Sequence, residues 1–167
     1  LHSFPTRRSS DLFVTVEAAR DIVLRRLDRA PAPRAALADL LERKEVAPHV
    51  AEEVLDRLES VGLVDDAAYA AALARARFVE KGAARRAIAD ELRRKGLGEG
   101  DISAALDQIG SDDEAIAALT LARKKLAATR GLEPVARRRR ALALLGRKGY
   151  SREDALRAVD RALAEQG

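Results

Sequence analysis

The side chains in this sequence best placed to do chemistry are cations, and they recur at a fixed interval. Arg43-Lys44, Arg94-Lys95 and Arg147-Lys148 follow Leu41, Leu92 and Leu145 by two and three positions, and these leucines are 51 and 53 residues apart. Denser basic clusters surround them: Arg85-Arg86, Arg93, Arg123-Lys124-Lys125 and Arg137-Arg138-Arg139-Arg140. Guanidinium and ammonium groups bind phosphates or carboxylates. They do not by themselves supply a nucleophile or an acid–base pair. The groups that would are scarce. Cysteine is absent, His49 is the only histidine beyond the first twelve residues, and neither His-Glu-x-x-His nor Gly-x-Ser-x-Gly occurs. Asp65-Asp66 is better read as helix-capping chemistry than as a metal or acid–base pair. Gly96-Leu-Gly98-Glu-Gly100 has no strand before it and no Gly-Lys-Ser/Thr, so it is not a phosphate loop. The expectation is a binding protein, not an enzyme, with no cofactor and no metal.

The interval belongs to a longer repeat. The blocks 37–46, 88–97 and 141–150 read LADLLERKEV, IADELRRKGL and ALALLGRKGY, and each is followed by an aspartate in register, Asp56, Asp107 and Asp160. Self-similarity at about this period marks one supersecondary unit in tandem, an arrangement that builds extended binding surfaces.

The elements that must position the cations read as helices. Ala19, Ile22, Val23 and Leu27 share one face of a helix over 16–27, which Ala30-Pro-Ala-Pro33 interrupts. A second helix runs to about Lys44. A third opens at Pro48, carries Val50, Val54, Leu55 and Leu58, and ends at Gly62. The next unit opens at Asp65-Asp66 with a helix holding Tyr69, Leu73 and Phe78 that ends at Gly82; its middle helix stops at Gly96 and its last spans 101–109. Ser111-Asp-Asp-Glu114 starts a helix to about Thr129, Glu133-Pro134 starts one to Gly149, and Ser151-Arg-Glu-Asp154 begins the last. No segment shows sustained period-2 alternation. The fold class expected is all-α: three tandem three-helix repeats, helix-turn-helix-like, in an extended, curved arrangement, with units 16–64, 65–110 and 111–167. The apolar residue after each corner (Val46, Leu97, Tyr150) should plug the core between the middle and third helices.

Composition agrees. Hydrophobic residues make up 47% but aromatics only 3%, which suits thin Ala/Leu cores and leaves little for base stacking. No stretch reaches the roughly 18 apolar residues of a membrane span. A cytoplasmic monomer with no membrane contact is expected. The net charge of +4 is uneven: −2 over 13–64, 0 over 65–110 and +5 over 111–167. The last third therefore suits an anionic partner. The chain contains no methionine, and residues 1–12 (LHSFPTRRSSDL) show no helical period. Residues 1–15 are expected to be a leader outside the fold, either translated adaptor sequence or a natural basic tail.

In order and spacing these phrases resemble the RecX family of bacterial recombination regulators, from about Ala19 to Leu163. The carriers are Gly62-Leu-Val-Asp-Asp-Ala-Ala-Tyr-Ala70, the basic stretch from Lys81 to Gly96, Ala122-Arg-Lys-Lys125 and Leu145-Gly-Arg-Lys-Gly-Tyr-Ser151. Glu45 departs by standing where relatives often carry glycine, and Ala83-Ala84 where glycine or proline is frequent. The resemblance implies modular three-helix repeats that bind the RecA recombinase filament. It also implies inhibition or modulation of that filament's ATPase, recombination and SOS/DNA-repair activity, with auxiliary non-specific DNA contact.

The cations then divide by alternative roles. Arg137–Arg140 and Arg123–Lys125 fit either partner contact or a solvated helix face whose stems cover apolar surface. Arg93, Arg94, Lys95, Arg147 and Lys148 lie at helix C-termini, where the macrodipole alone favours them. Arg85 and Arg86 lie at a helix start, where it does not, and this points to function. The competing reading is a helix-turn-helix DNA-binding regulator. Its third helices would be acidic or bland (Ala51–Arg57, Ser103–Asp107), poor chemistry for reading a major groove.

Overall fold

The computed structural model describes residues 4–167, with side chains from Val16 onward. The described residues form nine helices and no strand: α1 (Phe4–Arg29), α2 (Arg34–Arg43), α3 (Pro48–Ser60), α4 (Asp66–Lys81), α5 (Arg85–Arg94), α6 (Glu99–Leu106), α7 (Ser111–Ala128), α8 (Pro134–Arg147) and α9 (Arg152–Gln166). The backbone of α1 begins twelve residues ahead of the start expected from periodicity. The side chains on which the expected leader rests lie outside the described ones.

Local chemistry accounts for most boundaries. The Asp65 carboxylate accepts the Ala68 N–H at 3.0 Å, the Ser151 hydroxyl accepts the Asp154 N–H at 3.1 Å, and Pro48 and Pro134 occupy first-turn positions that need no donor. Gly82 closes α4 in the left-handed conformation. The last helix of the second unit corrects the sequence expectation of 101–109. Gly98 is its N-cap, its carbonyl accepting from the Ile102 N–H, so the helix starts at Glu99. It stops at Leu106 because a tight turn (Ile109 N–H to Leu106 O, 2.9 Å) brings Ile109 back into the core.

Substantial packing occurs within α1–α3, α4–α6 and α7–α9, and each trio has its own core. The anchors Leu41, Leu92 and Leu145 are wholly buried. Each accepts the backbone N–H of the apolar residue after its corner: Val46 at 3.0 Å, Leu97 at 3.1 Å and Tyr150 at 3.1 Å. Leu97 and Tyr150 are buried, and Val46 packs against its core half-buried. This six-to-one bond needs a left-handed residue between the two ends. Gly96 and Gly149 supply it at φ 85° and 95°, whereas Glu45 is forced to φ 61°.

The same corners join the units. A Cβ on Gly96 would lie 2.5 Å from the Ala35 Cβ at the start of α2, and one on Gly149 would lie 2.5 Å from the Ala87 Cβ at the start of α5. Each joint also carries a backbone-to-carboxylate bond. The Arg34 N–H donates to Asp66 Oδ1 at 2.8 Å, and the Arg85 N–H to Glu114 Oε2 at 3.0 Å. The second joint adds Ala84 N–H to Lys148 O (2.9 Å) and the Tyr150 hydroxyl to Gly82 O (2.8 Å), with Ala84 buried in the third unit's core. The first joint has no counterpart of the Ala84 bond. Pro33, the N-cap with the same backbone angles as Ala84, has no N–H to donate. Glu45, at the corner of the first unit, docks on no other unit among the described residues, so a Cβ is accommodated there.

Candidate partner-binding surface

One charge pattern repeats with the fold. Arg34, Arg85 and Arg138 hold equivalent places on the middle helices, each 22 residues before Asp56, Asp107 and Asp160. In the outer units the pairs close: Arg34 Nη1 to Asp56 Oδ1 at 2.7 Å (and to Glu59 at 2.6 Å), and Arg138 Nη2 to Asp160 Oδ1 at 3.0 Å. In the middle unit the pair stays open. The helix α6 ends one residue early, Asp107 becomes its C-cap, and Arg85 makes no ion pair with it. The Arg85 Nε is buried with no hydrogen-bond partner. The aspartate register was legible in the sequence. Its arginine partners stand at a constant offset of 22, a second signal in the same sequence.

The structure sorts the sequence-predicted cations into two groups. Arg93 pairs with Glu99 at 2.6 Å and Asp90 at 3.3 Å, Arg123 grips Glu165 through two bonds of 2.7 Å, and Arg138 holds Asp160. Arg137 turns inward, donating to Leu126 O at 2.8 Å and Gln166 Oε1 at 3.0 Å. The Arg137–Arg140 run is thus divided, its first two members holding α8 to α7 and α9, while Arg139 and Arg140 stay exposed. Arg123 and Arg93 hold the carboxyls of Glu165 and Glu99 below the usual carboxylate range through their hydrogen bonds. These are exposed surface pairs, screened by water and salt, so they add little to stability. Arg85, which the helix dipole alone would disfavour, has a structural partner in Glu114: that carboxylate accepts the backbone N–H at the positive end of α5.

The second group makes no intrachain ion pair among the described residues: Arg86, Arg94, Lys95, Lys124, Lys125, Arg139, Arg140, Arg147 and Lys148. Three of these converge. Docking the third unit's corner on the start of α5 brings Arg147 beside Arg86 and Arg94 around a groove of about 390 Å³, with Asp90, Gly149 and Tyr150 also on its walls. The residues come from two units, so no local reading of the sequence could place them together. Lys148 lies at the joint itself, its carbonyl engaged by Ala84. Lys95 caps α5 at the first joint. Arg139 and Arg140, on the exposed side of α8, do not line this groove, nor do Lys124 and Lys125 on α7.

A different surface mixes apolar and charged side chains. Ile116 is 65% exposed beside a cavity of about 580 Å³ between α7 and α9 that Asp112, Glu114, Arg123, Arg157 and Arg161 also line. Among the described residues no cluster of three or more His, Cys, Asp or Glu could hold a metal ion, and no helix is long and apolar enough to cross a membrane.

Known proteins match this architecture unit by unit. Residues 19–58, 65–106 and 112–159 match the first, second and third three-helix domains of RecX. The regulatory protein RecX of Streptomyces lividans is 47% identical over 152 residues, covering 91% of this chain and 81% of that protein. RecX of Thermobifida fusca is 46% identical over 149 residues (89% and 80%), and that of Mycobacterium ulcerans 40% over 151 (90% and 87%). Two crystal structures share the fold: a regulatory protein RecX (TM-score 0.79, 23% identity, 96% of this chain and 79% of that one) and RecX from Lactobacillus salivarius (TM-score 0.76, 18% identity, 93% and 99%). With all three units matched in order and identity sustained across nine-tenths of its length, this chain belongs to the RecX family of regulatory proteins.

Proposed function

We propose that this chain is a non-enzymatic, cytoplasmic regulator that binds the RecA recombinase filament as a monomer and restrains its ATP hydrolysis, strand exchange and SOS/DNA-repair activity. Sequence-independent DNA contact is auxiliary. The observation that carries this reading is the tandem row itself, three similar units held at side-chain-specific joints. A filament presents one surface at regular intervals, and several modest contacts from linked units add through effective concentration although none is strong alone. The family relatives, named as regulatory proteins, support the same class.

The monomer is part of the same proposal, and the corner of the first unit is compatible with it. At the start, Glu45 replaces the glycine that a docking corner requires. Operator reading is disfavoured by the exposed faces of the third helices. Glu52, Glu53, Asp56 and Glu59 on α3 would repel phosphates, and Ser103 and Ala104 on α6 offer little to a base edge.

The test is RecA's single-stranded-DNA-dependent ATPase with this protein titrated well below one per RecA. Strong inhibition at that ratio is expected, because action on a filament reaches many RecA subunits per regulator. No inhibition up to equimolar amounts, with footprinting of a defined duplex site, would replace this reading with the transcriptional one.

A further inference from the structure

We infer that the groove at the joint between the second and third units, walled by Arg86, Arg94 and Arg147, seats the sugar–phosphate backbone of a nucleic-acid strand. This deepens the auxiliary DNA contact of the reading above and rests on it only for its biological setting. The three guanidiniums come from two units, on α5 and at the end of α8. They face one space of about 390 Å³, and none is consumed by an ion pair among the described residues. Other cations of this chain also make no ion pair among the described residues, but only at this joint do three of those predicted from the sequence line one groove, whereas Arg93 and Arg138 hold carboxylates of this chain. Arginine forks match phosphate oxygens in geometry and charge.

Carboxylates on a protein partner would satisfy the same charges, but the remaining walls argue for nucleic acid. A protein interface concentrates its energy in buried apolar and aromatic anchors. Among the described residues, none of the large exposed apolar side chains (Val61, Leu63, Val79, Ile116, Leu132 and Val135) lines this groove. Backbone phosphates need cations and no apolar anchor. Tyr150 is not a stacking platform here, because it is buried and its hydroxyl is committed to Gly82 O. Contact is therefore independent of base sequence.

The site is specific to this joint. At the equivalent place in the first joint, Ala35 stands where Arg86 does, 51 residues on, and one of the three cations is lost. Within the groove, Asp90 opposes an anion, and only Arg93 offsets it, at 3.3 Å.

The experiment is anisotropy of a fluorescein-labelled oligothymidylate long enough to span all three units, titrated with the full chain over a range of salt concentrations. In Arg86→Ala/Arg147→Ala, two lost phosphate contacts should lower the salt slope by about 1.4, at about 0.7 per contact on a single strand, and so weaken binding ~25-fold at 0.1 M salt relative to a 1 M reference. Asp90→Asn should tighten binding, a gain that damage to the fold cannot imitate. Arg43→Ala/Lys44→Ala, two cations at the first unit's counterpart of Arg147-Lys148, should leave the slope within error. An unchanged slope in the groove variant with native helicity, or an equal fall in the first-unit variant, would overturn the assignment. A labelled duplex run in parallel decides whether one strand or two are accepted. The RecA ATPase assay fails or succeeds independently: inhibition without these slope changes removes the groove alone, and slope changes without inhibition remove the filament reading alone.

Discussion

A single methyl group at Gly149 should loosen the third unit from the second. The residue sits at φ 95°, where a side chain costs about 1–2 kcal/mol, offset by about 0.4–1 kcal/mol because alanine also restricts the unfolded chain. That part is shared with any left-handed glycine. The added Cβ would also lie 2.5 Å from the Ala87 Cβ and 2.9 Å from its backbone nitrogen. A backbone atom cannot rotate aside, so α5 and the corner must separate by roughly an ångström to restore ordinary contact at about 3.5–4.0 Å. Such a shift strains Ala84 N–H to Lys148 O and the Tyr150 hydroxyl to Gly82 O, bonds worth about 0.5–1.5 kcal/mol each and more when a buried group is left unpaired. Gly149→Ala should therefore cost about 3–4 kcal/mol. Gly62→Ala provides the comparison. Its φ is 81°, but nothing lies within 4 Å of the new Cβ, so it should lose only the net strain, about 1 kcal/mol. Gly96→Ala should fall between, because its new Cβ crowds one atom, the Ala35 Cβ, where Gly149 meets three atoms of Ala87, and the first joint has no counterpart of the Ala84 bond to strain. Urea unfolding followed by far-ultraviolet circular dichroism and by tyrosine emission measures the series; the two tyrosines, Tyr69 and Tyr150, report the second and third units. Equal midpoint shifts for Gly149→Ala and Gly62→Ala would refute the claim that this corner is a joint.

Three further outcomes follow from the same geometry. Glu45→Gly should stabilise the first unit by about 0.5–1 kcal/mol, read as a higher urea midpoint, because it relieves the left-handed strain at φ 61° while freeing the unfolded chain somewhat. Tyr150→Phe should cost about 1 kcal/mol by orphaning the Gly82 carbonyl. Burial, aided by Glu114 and Asp154, pushes the Tyr150 hydroxyl up to about 12, so the neutral form is the native one. Its contribution is complete below pH 10 and is lost as pH rises from 10 to 12, a decline that unfolding curves should show in the parent chain and not in the Phe variant. At the acid end, the double hydrogen bond from Arg77 (2.8 and 2.9 Å) holds the Glu91 carboxyl below its usual range, linking α4 to α5. That stability is present above about pH 4.5 and drains as pH falls, and Glu91→Gln should flatten the loss in an acid titration followed by circular dichroism.

What the sequence by itself determined is the part of this protein governed by short-range forces. Helix period, caps at Asp65 and Ser151, stops at Gly62 and Gly82, and the thrice-repeated corner depend on residues no more than about six apart, since backbone bonds and first-turn capping act at that reach. The shifted bounds of α6 also turn on a local competition, Gly98 capping against Asp101, and on the pull of Ile109 into the core. The RecX-like phrases were legible for the same reason: they are these caps and corners. The tertiary structure decided which face of a corner meets which helix start, and which distant group an arginine reaches. Arg123 finds Glu165 at a separation of 42 residues and Tyr150 finds Gly82 at 68. Arg86 and Arg147, 61 positions apart, share a groove because Gly149 lets two units close. An arginine side chain is long and its surface pairs are weak, so nothing in its own neighbourhood selects a partner. That selection waits on the placement of units, which is set at joints where one missing Cβ or one proline without an N–H changes what can touch.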